Sequence, residues 1–201
     1  MKFEFELLYA IQGIHSKLLD NLMIFITKLG DVGFIWLLIS IVLIFISMIL
    51  EYKSKKEKLT TNYDKILKLR YMGLTMIIAL ILEVFTVNIC LKNIVNRPRP
   101  FQVDESINML ITASGSSFPS GHTGSSFAAA VSVFLYNKKA GIAALVLASL
   151  IGFSRMYLFV HFPTDVIGGV VVGIICAFLA RKILSKLFSF INEKRKDHMS
   201  I

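Results

Sequence analysis

Residues 32–50 read VGFIWLLISIVLIFISMIL, an apolar run without one charge. A helix rises about 1.5 Å per residue, so about 20 apolar residues cross a hydrocarbon layer of about 30 Å. Val32–Leu50 therefore predicts a transmembrane helix. Four stretches on its C-terminal side repeat the pattern. Tyr71–Leu91 is interrupted only by Glu83, and Gly121–Tyr136 carries no acid or base except His122 at its start. Ala140–Ser154 extends, if Arg155 is tolerated, to Tyr157. Thr164–Leu187 has Asp165 at its start and Arg181 near its end. The last three are short, which puts their polar ends near the interface. The expected fold class is all-α, a polytopic membrane helix bundle of about five transmembrane helices.

Composition agrees. Of 201 residues, 55% are apolar and 17% charged, with mean hydropathy +0.69. These values exclude a disordered chain and argue against a soluble globular domain. Cys90 and Cys176 are too few for a disulfide scaffold and read as packing residues. No internal repeat appears. Gly169-xxx-Gly173 is a weak helix-packing signal.

The first thirty residues differ. Leu7, Leu8, Ile11, Leu18, Leu19, Leu22 and Ile26 fall on one helical face, with Gln12, Lys17, Asp20 and Asn21 elsewhere. That pattern predicts an amphipathic helix lying in the interface, followed by a turn at Gly30-Asp31. A tilted sixth span over residues 7–26 is the alternative. No basic n-region with a cleavage site is present, so no signal peptide is read. The expected organisation is an interfacial helix over residues 1–30 and a catalytic transmembrane domain over 31–201.

The net charge is +9, from 22 basic and 13 acidic residues. Fifteen of the basic residues lie in 51–70, at Lys138-Lys139 and in the C-terminal end from Arg181 to Lys196, which five spans place on one side. The positive-inside rule makes that side cytoplasmic. The excess is then a topology signal, and nucleic acid is not an expected partner. Outside lie the N-terminus, loop 92–120 and loop 155–163.

Loop 92–120 contains Lys92, Arg97-Pro98-Arg99-Pro100 and Pro119-Ser120-Gly121-His122, and loop 155–163 opens Ser154-Arg155 and reaches His161. Cations packed into these outer stretches are suited to an anion. Arginine forks and a lysine charge match phosphate oxygens. Ser120 can cap the helix that follows, and Gly121 lets backbone approach a ligand. His161 and Asp165 stand one helical turn apart, with Pro163 suited to a first-turn position. Asp165 can accept Nδ1–H of His161 and leave Nε2 as a nucleophile, with His122 as general acid for the leaving oxygen. Lys92, Arg99 and Arg155 would then hold the equatorial oxygens.

In order, Lys92…Arg99-Pro100, Pro119–His122 and Ser154-Arg155…His161…Asp165 resemble the three signature stretches of the type 2 phosphatidic acid phosphatase (PAP2) superfamily, which shares its site with vanadium haloperoxidases. The resemblance implies a lipid phosphatase with His161 as nucleophile, Asp165 as its partner and His122 as acid/base. Lys92, Arg99, Arg155, Ser120 and Gly121 would bind phosphate; no metal or cofactor is implied. Short length and the N-terminal helix resemble the bacterial undecaprenyl-diphosphatases, while Lys92 and Gly121 follow the fuller general pattern. The expected substrate is undecaprenyl diphosphate, alternatively phosphatidylglycerophosphate or phosphatidic acid. The expected place is the outer face of a bacterial cytoplasmic membrane, with membrane lipids as neighbours.

Plainer readings stand beside these. His161/Asp165 alone reads as a structural pair, and His122, His161 and Asp165 form a possible metal set that the nearby cations would repel. A polytopic transporter or scaffold is the rival outside enzymes; a haloperoxidase would be soluble. Arg97 is either interfacial or a second phosphate contact. His15 reads as interfacial, and Glu83 as a hydrogen-bonded packing residue. Phe101, Phe118, Phe159 and Phe162 read as a lipid-chain entrance or as interface anchors.

Overall fold

The structure, a computed structural model, describes residues 2–56 and 63–199, with the backbone alone for Val32 and residues 191–199. Among the described residues all regular structure is helical. It runs α1 (Lys2–Gln12), α2 (Lys17–Leu29), a 3-10 turn at Asp31–Gly33, α3 (Phe34–Lys56) and α4 (Tyr63–Val84). The chain continues through a π-helical stretch, Phe85–Leu91, into α5 (Lys92–Val95). Then come α6 (Pro100–Val103), α7 (Gly121–Tyr136), α8 (Lys138–Tyr157) and α9 (Pro163–Met199).

Four helical stretches are long and apolar enough to cross a membrane: Phe34–Lys56, Tyr63–Val103, Lys138–Tyr157 and Pro163–Phe190. The fifth expected span, α7, has 16 residues and is about 24 Å long. It packs against α4, α8 and α9 at the centre of the bundle. Its buried residues are mostly small: Gly124, Ser125, Ser126, Ala128, Ala129, Ala130 and Ser132. Small side chains let the neighbouring helices approach closely where the hydrophobic effect supplies no drive. The serines are satisfied inside the protein, with Trp36 Nε1 donating to Ser126 Oγ at 3.0 Å and Ser132 Oγ donating to the Ala128 carbonyl at 2.7 Å. Gly169 and Gly173 make the α7/α9 contact. A Cβ on Gly169 would lie 2.6 Å from the Ser120 carbonyl, and one on Gly173 2.5 Å from the Gly124 carbonyl. The weak sequence signal is thus a backbone-to-backbone contact. On α3 and α9, Ile41, Phe45, Ile167, Val171 and Phe178 face outward as a lipid-facing surface requires.

Antiparallel α7 and α8 turn at Asn137, whose side chain accepts from the Ala140 N–H. The turn places Lys138 and Lys139 at one end and His122 and Arg155 at the other. Thr75 and Arg181 meet Tyr136 at the basic end. The expected loop 51–70 is in part helix, because α3 and α4 each run past the hydrocarbon-length stretch. Glu51 there receives Arg70 at 2.5 Å and Lys55 at 2.8 Å. Glu57 and Lys58 lie outside the described residues, as do the side chains of Glu193 to Asp197.

The N-terminal expectation needs correction. Gly13–Ser16 break the helix, so no continuous helix covers 7–26; Ser16 instead caps α2 through the Leu19 N–H. The apolar positions divide between two surfaces. Leu8, Ile11 and Ile26 are buried, whereas Leu7, Leu18 and Leu22 are exposed. The interfacial reading of His15 also changes. Its ring stacks on Tyr157 at 4.0 Å, its Nδ1 lies 3.0 Å from Asp20, and Tyr157 donates to the same carboxylate at 2.6 Å. This cluster ties the α1–α2 corner to the C-terminal end of α8.

Candidate active site

Three segments converge where α7 begins and α8 ends. The first leaves α5 through Asn96, in the left-handed region at φ 43°, a conformation asparagine tolerates. Residues 97–99 then run beside 114–117, with the Ser117 N–H on the Arg97 carbonyl at 2.8 Å. The second is the start of α7. The third turns out of α8 at Phe159, whose φ of 57° is strained for an aromatic residue. Burial holds it there, with Phe5 and Tyr9 rings 6.3 and 6.1 Å away. Phe159 and Phe162 are fully buried against α1, so neither lines a lipid entrance nor anchors the interface.

A cavity of about 510 Å³ opens between these segments. Lys92, Arg99, Gly121, His122, Arg155 and His161 all line it. Arg155 belongs to the last turn of α8 rather than to a loop. Arg99 is clamped by carbonyls, its Nε on Gly115 at 3.0 Å, Nη2 on Ser114 at 2.8 Å and Nη1 on Val160 at 2.9 Å. The same Nη1 lies 3.3 Å from His161 Nε2. A guanidinium can only donate, so Nε2 carries the lone pair and Nδ1 the proton. Burial pushes the His161 imidazole down to about 3; Asp165 opposes this, and Arg99 and Arg155 add to it. His161 is therefore neutral at physiological pH, the state a nucleophilic role would need.

Asp165 holds His161 less directly than expected. Its Oδ2 stands 3.6 Å from Nδ1, long for a hydrogen bond. That oxygen instead accepts from Ser117 Oγ at 2.5 Å and the Phe162 N–H at 2.7 Å. Ser117 Oγ then faces Nδ1 at 3.4 Å, and carboxylate and hydroxyl together flank the Nδ1 proton. Ser120 is corrected too. It sits at the N-cap of α7 without a side-chain cap bond. Its buried hydroxyl accepts from Thr123 at 3.0 Å, and it does not line the cavity. Arg97 is neither interfacial nor a phosphate contact. It bridges Asp165 at 2.6 Å and Glu4 at 2.7 Å, and its guanidinium lies over Phe162 at 4.0 Å.

Glu83 is buried under the site with Oε1 lacking a hydrogen-bond partner, against Gly124, where a Cβ would lie 2.3 Å away. The packing role holds without the expected hydrogen bond at that oxygen. Among the described residues, no three His, Cys, Asp or Glu side chains are grouped to hold a metal ion. His122 is turned to Asp31, while Asp165 is turned to Arg97 and Ser117.

Sequence reasoning missed Ser117, Thr27, Lys28 and Asp31. Thr27, Lys28 and Asp31 reach the cavity from the end of α2 and its turn. Thr27 Oγ1 accepts from Arg155 Nη1 at 2.5 Å, while Arg155 Nε is buried with no hydrogen-bond partner. No spacing rule links residues 27–31 to residue 155. Ser117 is one of three serines in 114–117 that sequence cannot separate.

The sequence pattern of the PAP2 superfamily matches residues 68–189. The chain belongs to the PAP2 superfamily. Among its relatives, Undecaprenyl-diphosphatase BcrC of Bacillus subtilis is 30% identical over 190 residues, 94% of this chain and 88% of that one. Phosphatidylglycerophosphatase B of the same organism is 35% identical over 114 residues, covering 51% of this chain and 54% of its own. The crystal structure of Aquifex aeolicus LpxE superposes with a TM-score of 0.61 at 29% identity, covering 89% of this chain and 94% of that chain. The PAP2 type phosphatidylglycerolphosphate phosphatase from Bacillus subtilis gives a TM-score of 0.59 at 28% identity over 92% of this chain and 86% of that chain. The protein is a multi-pass membrane lipid phosphatase of this family, and a hydrolase.

Proposed function

We propose that the protein removes the terminal phosphate of undecaprenyl diphosphate at the outer face of a bacterial cytoplasmic membrane, through a phosphohistidine and without a metal. The observation that carries the reading is one cavity holding an acceptor nitrogen, His161 Nε2, among Lys92, Arg99 and Arg155. The unpartnered Arg155 Nε is a donor suited to a phosphate oxygen. Lys28 adds a fourth cation to the wall, which suits a diphosphate more than a monophosphate. Similarity to BcrC over most of both chains points the same way, as does the basic excess at the opposite end of the bundle.

In this reading His161 Nε2 attacks the terminal phosphorus. The P–N bond forms as the bond to the bridging oxygen breaks, and His122 gives that oxygen its proton. Water then attacks phosphorus, the P–N bond breaks, and His122 takes the water proton. Arg99, Arg155 and Lys92 hold the equatorial oxygens, and Gly121 lies beneath Lys92, whose Nζ a Cβ would meet at 3.7 Å. Asp165 orients His161, and Ser120 serves the site by shaping the start of α7. Residues 31–201 supply the spans and motifs, and residues 1–30 lie across the outer end as interfacial helices.

Phosphatidylglycerophosphate is the second substrate reading, favoured by the likeness to phosphatidylglycerophosphatase B. Purified protein with EDTA present should release phosphate from undecaprenyl diphosphate with the highest kcat/KM among undecaprenyl diphosphate, phosphatidylglycerophosphate and phosphatidic acid. Vanadate should inhibit, and His161→Ala should abolish release. Strict dependence on Mg²⁺, or full activity of His161→Ala, would overturn the mechanism.

A further inference from the structure

The α2–α3 turn carries a carboxylate that none of the three motifs includes. His122 Nε2 lies 2.8 Å from Asp31 Oδ1. The turn is built to lie on the imidazole. A Cβ on Gly30 would come 3.0 Å from His122 Cδ2 and 2.8 Å from Ile151 Cγ2, so a larger residue would press on the ring and on Ile151. Gly33, at φ +67°, then turns the chain into α3 in a conformation side chains resist. Asp31 is half exposed, with a side-chain accessibility of 57% against 23% for His122. A free surface carboxylate at the mouth of a cationic phosphate cavity would repel the substrate. Its contact with the ring at 2.8 Å gives that carboxylate a different use.

We infer that Asp31 is the positioning partner of His122, forming with it a second His–Asp pair that holds the general acid/base in its working orientation and keeps its proton available. The inference rests on the acid/base role given to His122 above. The charged groups facing His122 are Asp31 from the turn, Arg155 from α8 and Lys92 from α5. Burial disfavours an imidazolium most, the two cations add to that, and the Asp31 carboxylate alone opposes it. Without Asp31 the ring would meet the leaving oxygen between two cations and give up its proton too readily to solvent. With Nε2–H held by Asp31, Nδ1 is the nitrogen that exchanges the proton with the leaving oxygen and later with water. The arrangement mirrors His161, where Nδ1 is held by acceptors and Nε2 reacts. Each histidine is thus anchored at one nitrogen and reacts at the other.

The test uses full-length protein in detergent with farnesyl diphosphate, comparing wild type, Asp31→Asn, Asp31→Glu, His122→Ala and Asp31→Asn/His122→Ala across pH. Thermal unfolding is recorded for each. Asp31→Asn should lower kcat roughly ten- to a hundredfold with KM changed less than about twofold. The alkaline limb of its kcat profile should move about one pH unit toward acid, since the one group that favours the protonated ring is gone. Asp31→Glu should recover part of the rate. In the His122→Ala background, Asp31→Asn should add no further loss. An unmoved limb with unchanged kcat, a change in KM alone, or losses that multiply in the double variant would overturn the inference. Wild-type activity in His122→Ala would instead overturn the acid/base assignment itself, and is read separately from the Asp31 variants.

Discussion

Arg97 offers the sharpest distinction between a substrate contact and a structural strut. Its guanidinium joins Asp165 at 2.6 Å and Glu4 at 2.7 Å, with side-chain accessibilities of 19%, 0% and 11% for the three. Removing one partner of a buried pair costs about 3–5 kcal/mol, because the charge left behind has lost its compensation. Ser117 and the Phe162 N–H still hold Asp165, and Thr164 still holds Glu4. The expected loss for Arg97→Ala is therefore about 3 kcal/mol, at the lower end of that range. For a chain of this size that lowers Tm by roughly 6–12 °C. Arg97→Lys should recover little, since an ammonium cannot form the fork or stack on Phe162. Asp165, loosened, would position His161 less well, so kcat should fall with little change in KM. Adding Glu4→Gln should make the combined loss smaller than the sum, because it removes one of the stranded charges. Thermal unfolding in detergent and steady-state phosphate release measure both. An unshifted Tm with KM raised several-fold would refute the strut and make Arg97 a phosphate ligand.

Gly173→Ala should destabilise by about 1–3 kcal/mol, since its Cβ would meet the Gly124 carbonyl at 2.5 Å and the Ala128 nitrogen at 2.8 Å, backbone atoms that cannot swing aside; thermal unfolding reads this. Lys28→Met should lower kcat/KM for a prenyl diphosphate about tenfold relative to the matching monophosphate; an unchanged ratio removes Lys28 from diphosphate recognition. Burial lowers the His161 imidazole from 6.5 to about 3. The unfolded chain therefore binds more protons across that window, and His161 contributes a loss of stability as pH falls through it. Tm should drop on acidification from about pH 7 to about pH 4, and drop less in His161→Asn, a difference that unfolding scans at several pH values would show.

The spans at 34–56, 138–157 and 163–190 were legible because each contains a local, nearly uncharged apolar run, although the last two read shorter in sequence than their helices are. The three motifs were legible for a similar reason: each is short and set by local spacing. The N-terminal region was harder. Its apolar periodicity is real, yet Gly13–Ser16 break the helix and its apolar positions serve two surfaces, one against α8 and one outward. Arg97 and Arg99 stand two residues apart in the same loop, and periodicity treats them alike. One is bound by carboxylates and the other by carbonyls and His161, a difference set wholly by what lies opposite.

By itself, the sequence determined that the chain is a helical membrane bundle of the PAP2 kind, which end carries the basic excess, and which histidines and cations belong to the motifs. Those features depend on hydropathy, length and local spacing. Tertiary structure alone decided that Thr27, Lys28 and Asp31 enter the cavity, that Ser117 joins Asp165 at the Nδ1 side of His161, and that Glu4 and Arg97 brace the carboxylate. These contacts join residues 48 to 128 positions apart in the chain. They exist only because small residues on α7 and α9 bring the helices close and the N-terminal helices fold back over the end of the bundle.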